Sequence, residues 1–339
     1  MAECLKGVIV QDMPPGKDNS APAVSVIVPC YNTAQFLGDA IASALGQTCE
    51  DLEVLVIDDG STDSTPEVTA SFLKDPRVRY VRQDNQGLSA ARNKGIELSR
   101  GEFVALLDAD DIWEPEKLER QLTVFGNLPE CGLVFSDFAT FDDRGTIAAQ
   151  KNQAILERLS LPEFSQLFSR NNFMYPSTVI VRRTVLEQVG GFDTSLKSAE
   201  DYDMWLRVAR VSQVAGVTAH LVWIRQHGSN MSLNIPRMLN NEIAAVQKNA
   251  AGVSAWALRK RLAKIYCLNA DRSVHAGKSG QALKLLVQGL VRYPFLYIDV
   301  LVVGIKLLLG GHRVESLRRW LNDNDSLVAK LYWSIYSRY

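Results

Sequence analysis

The sequence predicts an α/β fold in which a doubly wound, mainly parallel sheet is followed by a C-terminal α-helical region. The first observation is that short apolar segments alternate with segments of helical periodicity between residues 24 and 107. Strands with an almost continuous apolar pattern are typical of parallel sheets covered on both faces. The second observation is that only helical patterns remain beyond residue 237. We therefore divide the chain into a flexible lead-in (1–22), an α/β domain (23–234) and a helical region (235–339).

The first part of the α/β domain repeats a strand–helix unit, which favours right-handed crossovers and a doubly wound sheet. The predicted strands are, in order, Val24–Pro29, Leu52–Ile57, Val78–Val81 and the apolar run 102–107. The helices between them are Phe36–Leu45, one that opens at Thr65-Pro66 in the usual cap-then-proline order, and Leu88–Ile96. Ligands of such sheets bind at the carboxyl ends of the strands.

The middle of the chain is less regular. Residues 151–172 read as helix or loop, and a helix follows Ser198 with its apolar face on Tyr202, Trp205 and Leu206. Three further strands are predicted, at Leu133–Phe135, Ser177–Val181 and Val217–Ile224.

Three carboxylates, Asp108, Asp110 and Asp111, directly follow the fourth strand. Acids at the end of a buried strand are costly unless they meet a cation or hydrogen-bond donors. The Asp-x-Asp pair therefore suggests a site for a hard cation such as Mg²⁺ or Mn²⁺, whose shell substrate phosphates usually complete. The alternative is a loop of solvated acids or a helix cap before Trp113.

Other polar residues allow two interpretations each. Asp58-Asp59-Gly60-Ser61 is either a strand-end turn or a carboxylate site for a nucleobase or ribose. Asp201, three residues after Ser198, is either part of a helix cap or a general base. Arg92 is either a solvated helix charge or a ligand contact, and His227 is either an ordinary loop histidine or a ligand contact.

Composition sets further limits. The 339 residues carry a net charge of −1, which gives no sign of a nucleic-acid partner. The balance is uneven, because 14 Lys and Arg face five Asp and Glu from Ala255 onwards. The five scattered cysteines indicate reduced thiols, and we see no signal peptide, so we expect a cytoplasmic protein. No Gly-x-Gly-x-x-Gly follows the first strand, which disfavours a nicotinamide-binding enzyme.

Taken together, the motifs resemble the family 2 glycosyltransferases, which have the GT-A fold with a Rossmann-like nucleotide-binding domain. The resemblance covers about residues 24–232. The segments that carry it are Val24–Asn32, Val56–Asp63, Gly87–Gly95, Leu107–Asp111, Gly191–Asp193, Glu200–Arg207 and Arg225–Asn230.

The resemblance implies a nucleotide-sugar donor and a role for each matching residue. The donor-binding residues would be Pro29, Tyr31, Asn32, Asp58, Asp59, Arg92, Asp108, Ala109, Asp110 and His227. Within that set, the base would be held by Pro29, Tyr31 and Asp59. Asp108 would bind the ribose, and Arg92 would lie beside the nucleotide. Asp110 and His227 would hold Mg²⁺ or Mn²⁺ at the diphosphate. Asp201 would be the catalytic base, with Glu200 beside it at the acceptor site.

The implied reaction is an inverting transfer from a nucleotide-diphosphate sugar to a saccharide or lipid-linked acceptor in polysaccharide or glycoconjugate biosynthesis. Because Asp59 should accept a hydrogen bond from a ring N–H, which uracil offers at N3, we expect UDP-sugars rather than purine donors. No Gln-x-x-Arg-Trp motif follows, which favours single addition over polymerisation. Two alternatives stay open: a nucleotidyltransferase that makes sugar nucleotides, and a non-catalytic nucleotide-sugar-binding protein. Neither the sugar nor the acceptor is specified.

The C-terminal residues suggest a second kind of contact. Leu285–Leu309 is strongly apolar, but Arg292, Asp299, Lys306 and Arg313 recur every seven residues and form one charged stripe on a helix. Such a helix either lies in an anionic membrane interface or packs in a bundle that could form a homodimer. We therefore expect either peripheral attachment at the inner face of the membrane or self-association.

Overall fold

A computed structural model describes residues 9–10, 21–142, 144–148, 161–228 and 234–293. The contacts divide the chain into two units. The sheet unit comprises Met1–Phe164 and Asn172–Asn230, and the helical unit comprises Ser165–Asn171 and Met231–Tyr339. The predicted lipid-facing or dimer-forming helix beyond Tyr293 lies outside the described residues.

The described part of the sheet unit contains one mixed, mainly parallel sheet of ten strands. The strands are β1 Ile9–Val10, β2 Val24–Cys30, β3 Leu52–Asp58, β4 Val78–Arg82, β5 Phe103–Leu106, β6 Ile112–Trp113, β7 Cys131–Asp142, β8 Gly145–Ala148, β9 Val179–Arg182 and β10 Gln213–Arg225. Their order is β1-β4-β3-β2-β5-β9-β7-β10-β6, with β8 paired to β7. The doubly wound parallel arrangement predicted for the first four strands is confirmed.

The chain reverses its direction of travel across the sheet at β2. From β2 it moves outward to β3 and β4, and it then returns to place β5 on the other side of β2. Such a reversal opens a crevice at the carboxyl ends of the strands. Asp58 ends β3 beside Cys30, and Asp108 follows β5, so both acid clusters lie at this edge.

Pro29 marks the point where the crevice opens. Proline in a central strand normally costs a ladder hydrogen bond, because it has no N–H. On the β5 side, the Ile27 carbonyl accepts a hydrogen bond from Leu107 N. On the β3 side, the Cys30 carbonyl accepts a hydrogen bond from Asp59 N. Alternation places Pro29 on the β5 side, one step beyond the end of that ladder, where its missing N–H breaks no bond.

Helices cover the sheet and bury their apolar faces against it. They are α1 Ala34–Leu45, α2 Thr65–Ala70, α3 Leu88–Leu98, α4 Lys117–Asn127, α6 Arg183–Val189 and α7 Glu200–Val211, with a 3₁₀ turn at Pro176–Thr178. The short helix α5 Phe164–Phe168 falls almost entirely within the helical unit. α3 lies so close to β2 that a Cβ on Gly95 would collide with Ile27. Glycine at this position therefore sets the distance between α3 and the strand that leads into the crevice.

The structure differs from the sequence analysis in several places, among them two strands, β6 and β8, that were not predicted. Ile9–Val10 pairs with β4 inside the range predicted as a flexible lead-in. β7 and β10 run far beyond the predicted strands, because they form one long parallel ladder with each other. The strand predicted at Ser177–Val181 begins only at Val179, since Ser177 lies in the 3₁₀ turn and its carbonyl accepts from Trp113 Nε1 at 2.8 Å.

The helical unit is built on α8 Ile235–Lys248, α9 Ala255–His275 and α10 Ser279–Arg292. α9 and α10 pack through small residues, and the buried core includes Ala263, Cys267, Ala270, Ala282 and Leu286. Asn269 Nδ2 donates to Glu242 Oε2 at 2.8 Å, which links α9 to α8. No helix in the described part of the chain is both long enough and apolar enough to cross a bilayer.

Candidate active site

Asp58, the last residue of β3, is fully buried, and its carboxylate is occupied within the fold. Oδ1 accepts from Ser61 N at 2.7 Å, Oδ2 accepts from the Tyr80 hydroxyl at 2.6 Å, and Arg82 lies 3.4 Å from Oδ2. Burial and the Asp58 charge both raise the pKa of Tyr80, so the phenol remains a donor. The side chain of Asp58 thus fixes the turn after β3, and its contacts are with the protein.

Asp59 is also buried but keeps part of its hydrogen-bonding capacity. Oδ1 accepts from Gln83 Nε2 at 2.8 Å and from Gln86 N at 2.9 Å, whereas Oδ2 accepts from Gly87 N at 2.7 Å. A carboxylate offers about four acceptor positions, so one position on Oδ2 is left for a further donor. These bonds also fix the start of α3, where Gly87 has a φ of +94°.

The loop after β2 presents one aromatic side chain to solvent. Tyr31 is 49% exposed, directly after the last residue of the strand. Asn32 adopts a left-handed φ of +52°, and its Oδ1 accepts from Thr62 N at 2.8 Å while its N donates to Ser61 Oγ at 3.0 Å. The Asn32 side chain therefore ties the loop after β2 to the loop after β3 and holds Tyr31 at the edge of the crevice.

Arg92 on α3 connects two of the predicted motifs. Its guanidinium is fully buried and donates to Asp108 Oδ1 and to Glu200 Oε1, each at 2.7 Å. The pKa of Arg92 is raised: its burial opposes the charge, but the two carboxylates outweigh burial. Arg92 is therefore a permanent cation that joins the acid loop after β5 to the start of α7.

The Asp108–Asp111 loop is held by residues from the 3₁₀ turn before β9 and from the end of β10. Ser177 Oγ accepts from Asp108 N at 3.0 Å and donates to Asp111 Oδ2 at 2.5 Å. Arg225, at the end of β10, donates its N to Asp111 Oδ1 at 3.1 Å and its Nε to the Asp110 carbonyl at 3.1 Å. Burial, followed by the charges of Asp110 and Asp108, raises the pKa of Asp111. Asp111 thus anchors the loop, and Ala109 is buried between the two acids of the Asp-x-Asp pair.

Asp110 and His227 meet at this loop, with Asp110 Oδ2 2.9 Å from His227 Nε2. Burial and the charge of Asp108 raise the pKa of Asp110, and the hydrogen bond to His227 lowers it. The imidazole stacks on Phe36 with 5.0 Å between ring centroids, which fixes its plane. Among the described residues, no three His, Cys, Asp or Glu side chains are grouped so that they could hold a metal by themselves.

One carboxylate and one imidazole nevertheless fit a cation that takes its remaining ligands from a diphosphate and water. Mg²⁺ is usually held in this way, by one or two carboxylates together with substrate phosphates. The raised pKa of Asp110 supports this fit, because a carboxyl that is disfavoured as an anion gains from a nearby cation.

α7 begins in an unusual conformation that presents two acids. Ala199, the residue before the helix, has a left-handed φ of +56°, and it provides no side-chain cap. The residue directly before the helix is therefore Ala199 and not Ser198. Asp201 Oδ1 accepts from Tyr202 N at 2.7 Å, and its Oδ2 accepts from Asn172 Nδ2 at 2.7 Å. Burial and, to a smaller extent, the negative charge of Glu200 raise the pKa of Asp201 to about 7, whereas the positive charge of Arg92 lowers it.

The sequence of this chain is similar to those of known glycosyltransferases. The model for "Glycosyl transferase family 2" matches residues 25–190. An uncharacterised glycosyltransferase of Rickettsia typhi is 31% identical over 221 residues, covering 63% of this chain and 68% of that protein. The chain belongs to the family 2 glycosyltransferases. A chondroitin synthase of Escherichia coli is 32% identical over 214 residues, but this chain spans only 30% of its length.

Solved structures agree on the fold of this family 2 glycosyltransferase. Staphylococcus aureus TarS residues 1–349, in complex with UDP, superposes with a TM-score of 0.57 and 15% identity, covering 78% of this chain and 88% of that one. A mannosyltransferase of Pyrobaculum calidifontis, in complex with GDP-Man and Mn²⁺, gives a TM-score of 0.54 and 19% identity, covering 86% and 88%. At these identities the likeness shows the GT-A fold.

Sequence reasoning did not find three residues that hold this site. Ser177 joins Asp108 to Asp111, Arg225 joins β10 to the acid loop, and Asn172 binds Asp201. Arg225 lies in the segment Arg225–Asn230 that carries the family resemblance. By contrast, the residues around Asn172 and Ser177 form no sequence pattern that indicates a partner far away in the chain. Only the pairing of β9 between β5 and β7 brings them to the crevice.

Proposed function

We propose that this protein is an inverting glycosyltransferase that moves a sugar from a nucleotide-diphosphate sugar to a saccharide or lipid-linked acceptor. The observation that carries the proposal is the link Asp108–Arg92–Glu200, in which the buried Arg92 guanidinium contacts both carboxylates at 2.7 Å. It joins the acid loop, where a diphosphate would be held, to the start of α7, where Asp201 has a raised pKa. Two chemically different carboxylate sites are thereby fixed relative to each other, as a transfer reaction requires.

We assign the nucleotide to the crevice between the loops after β2 and β3. The exposed ring of Tyr31 offers a stacking surface for the base, beside Pro29. The remaining acceptor position on Asp59 Oδ2 suits a ring N–H, which uracil offers at N3, and this supports a UDP-sugar as donor. Asp108 would bind the ribose through Oδ2, since its Oδ1 is held by Arg92. In this proposal Asp58, Asn32, Ala109 and Arg92 shape the pocket from within the fold.

Asp110 and His227 would hold a divalent cation, Mg²⁺ or Mn²⁺, at the donor diphosphate. When bound, such a cation acts as a Lewis acid for the negative charge of the leaving nucleoside diphosphate. Around it, the stacking of His227 on Phe36 and the hydrogen bonds of Arg225 keep both ligands in place.

Asp201 would accept the proton of the acceptor hydroxyl. The hydroxyl oxygen forms a bond to the anomeric carbon, the bond from that carbon to the diphosphate oxygen breaks, and attack from the opposite face inverts the configuration. A base with a pKa of about 7 is well matched to this task near neutral pH, because about half of it is ionised and its carboxylate is a stronger proton acceptor than an ordinary aspartate. Beside it, Arg92 forms an ion pair with Glu200 at 2.7 Å.

We also propose that the helical unit attaches the protein peripherally to an anionic membrane surface. Residues 234–293 carry ten Lys and Arg but only two Asp and Glu. Trp256 is 58% exposed, and one face of α10 leaves Leu283, Val287 and Val291 exposed at helical spacing. Cations together with an exposed aromatic and aliphatic residues suit a lipid interface, with roughly 1 kcal/mol for each basic residue near the surface.

Flotation with phosphatidylglycerol vesicles tests this attachment. Binding should fall with salt and with the double change Trp256→Ser and Val291→Ser, while Val211→Ser, on the sheet unit, should have no effect. If the protein ignores the vesicles at low salt and the same double change dissolves a dimer in sedimentation, the exposed face is a self-association surface.

The glycosyltransferase proposal is tested by thermal unfolding in the presence of a panel of UDP-, GDP- and dTDP-sugars, with and without Mn²⁺. A ligand that binds the native state raises the unfolding temperature in a concentration-dependent way. We expect the largest shift from a UDP-sugar with Mn²⁺. No shift from any nucleotide sugar would contradict the proposal, and a larger shift with GDP-sugars would contradict the assignment of uracil.

A further inference from the structure

The segment Asn172–Thr178 is tied at both ends to residues of the candidate active site. At its start, Asn172 Nδ2 donates to Asp201 Oδ2 at 2.7 Å. Near its end, Ser177 Oγ bonds to Asp108 N at 3.0 Å and to Asp111 Oδ2 at 2.5 Å. The residues between these two anchors therefore lie between the candidate base and the acid loop.

Tyr175 is the one residue between the anchors that faces solvent. Phe173, Met174 and Pro176 are buried, whereas Tyr175 is 45% exposed. A large aromatic side chain on a protein surface is ordinary in itself. Its position between two groups to which we assign reacting parts of the substrate is what suggests a function.

The ring of Tyr175 is also held firmly. One side packs on Phe138 of β7, with 4.8 Å between ring centroids and 60° between the planes. The Tyr175 carbonyl accepts from Thr178 N at 2.9 Å and from Thr178 Oγ1 at 2.7 Å, which fixes the backbone. A rigid aromatic ring provides a large contact area at a low cost in conformational entropy.

We propose that Tyr175 is the platform on which the terminal sugar ring of the acceptor stacks. The apolar C–H face of a pyranose would lie on the exposed face of the phenol ring, and its reacting hydroxyl would point toward Asp201. The substrate class this assigns is an acceptor that ends in a sugar, rather than a bare lipid phosphate or a protein side chain. The inference rests on the proposed glycosyltransferase function and adds the acceptor subsite to it.

The two exposed aromatics at the crevice give a matched pair for the test. Tyr31 follows β2 on the nucleotide side, and Tyr175 precedes β9 on the side of Asp201. We would compare wild type, Tyr175→Ala, Tyr175→Leu, Tyr175→Trp and Tyr31→Ala. Tyr175→Leu keeps apolar volume against Phe138 but removes the flat ring, so it serves if the alanine variant does not fold.

The assay follows UDP-sugar consumption with the octyl β-glycosides of glucose, galactose, N-acetylglucosamine and mannose as acceptor probes. Tyr175→Ala and Tyr175→Leu should raise the acceptor KM about tenfold or more, which is the loss expected from one well-packed aromatic contact. Donor KM and the slow release of UDP in water should stay unchanged, and Tyr175→Trp should retain the acceptor KM. Tyr31→Ala should show the reverse pattern, with a raised donor KM.

An unchanged acceptor KM in Tyr175→Ala and Tyr175→Leu overturns the proposal, and so does a rise in donor KM alone, which would place the donor on this ring. If no probe is glycosylated, saturation-transfer NMR on the same glycosides in the presence of UDP decides. Saturation of the sugar-ring protons in wild type and its loss in Tyr175→Ala support the platform, and any other pattern overturns it. A wild type that consumes no nucleotide sugar at all shows instead that the proposed function itself is wrong.

Discussion

The raised pKa of Asp201 makes a prediction about stability as well as about catalysis. In the unfolded chain an aspartate has a pKa of ~3.9, and in the folded protein burial and Glu200 raise the pKa of Asp201 to about 7. Between these values the folded state keeps a proton that the unfolded chain has lost. The free energy of unfolding therefore falls as pH rises through this window, by up to ~1.4 kcal/mol per pH unit and ~4 kcal/mol in total.

Asp201→Asn replaces the carboxylate by a neutral amide of nearly the same shape. The amide oxygen can still accept from Asn172, but the bond from Tyr202 N is lost, at a cost of about 1 kcal/mol. We therefore expect the variant to be more stable than wild type by ~1–3 kcal/mol at pH 8 and equal or slightly less stable at pH 4. Turnover should fall about 10²–10⁴-fold with donor affinity unchanged, because only proton acceptance is removed.

Urea unfolding of both proteins at pH 4 and pH 8, with turnover and donor affinity at pH 8, checks both halves. Glu200→Gln is the control: it should reduce turnover less, and it should lower the apparent pKa of the activity profile, since it removes a like charge from beside Asp201. Near wild-type turnover in Asp201→Asn, with the same pH dependence of stability as wild type, would refute the reasoning and leave Asp201 as a structural residue at the start of α7.

Three further changes test other parts of the account. Asp110→Asn should abolish turnover and make donor affinity, measured by calorimetry, independent of Mn²⁺; strong Mn²⁺ dependence in the variant would contradict this. Arg92→Met should lower the free energy of unfolding by ~3–5 kcal/mol, because it leaves two carboxylates without their buried cation. Arg92→Lys should have a free energy of unfolding between those of wild type and Arg92→Met, since an ammonium group lacks the forked guanidinium that contacts both carboxylates. Lys117 is buried on Trp113, its Nζ has no hydrogen-bond partner among the described residues, and burial holds its pKa well below the usual value. Lys117→Met should therefore stabilise the protein by ~1–3 kcal/mol at pH 7 and remove a rise in stability with pH, and a destabilised variant would indicate that the lysine is charged.

Much of the parallel half of the sheet was predictable, because its strands carry their own signal. Val24–Cys30 and Leu52–Asp58 are mainly apolar, and every residue of both strands is buried. The acid clusters were also predictable as a group, since the carboxyl ends of parallel strands share one edge. The mixed half was harder to predict: β7 and β10 extend far beyond their apolar cores, through pairing that only the folded chain provides.

Within the candidate site, the sequence indicated which residue types gather but not which atoms remain available for a ligand. Asp58 and Asp59 are adjacent and chemically identical, yet they have different surroundings. Asp58 is fully buried, and its contacts are with Ser61, Tyr80 and Arg82. Asp59 instead accepts from Gln83 and from the backbone N–H groups of Gln86 and Gly87. The difference arises from the alternation of side chains at the end of a strand and from partners on β4 and in the turn after it. Long-range hydrogen bonds of this kind leave no local pattern in the sequence.

The most direct test of the central claim is the release of UDP from UDP-sugars by the wild-type protein, measured with the four octyl glycosides in Mn²⁺, then in excess EDTA, then with Mn²⁺ restored. The account predicts that UDP appears together with a glycosylated probe, stops in EDTA and resumes with Mn²⁺, with the new linkage inverted at the anomeric carbon. Intact donors under all three conditions, equal release in EDTA, or a product with retained configuration would contradict it.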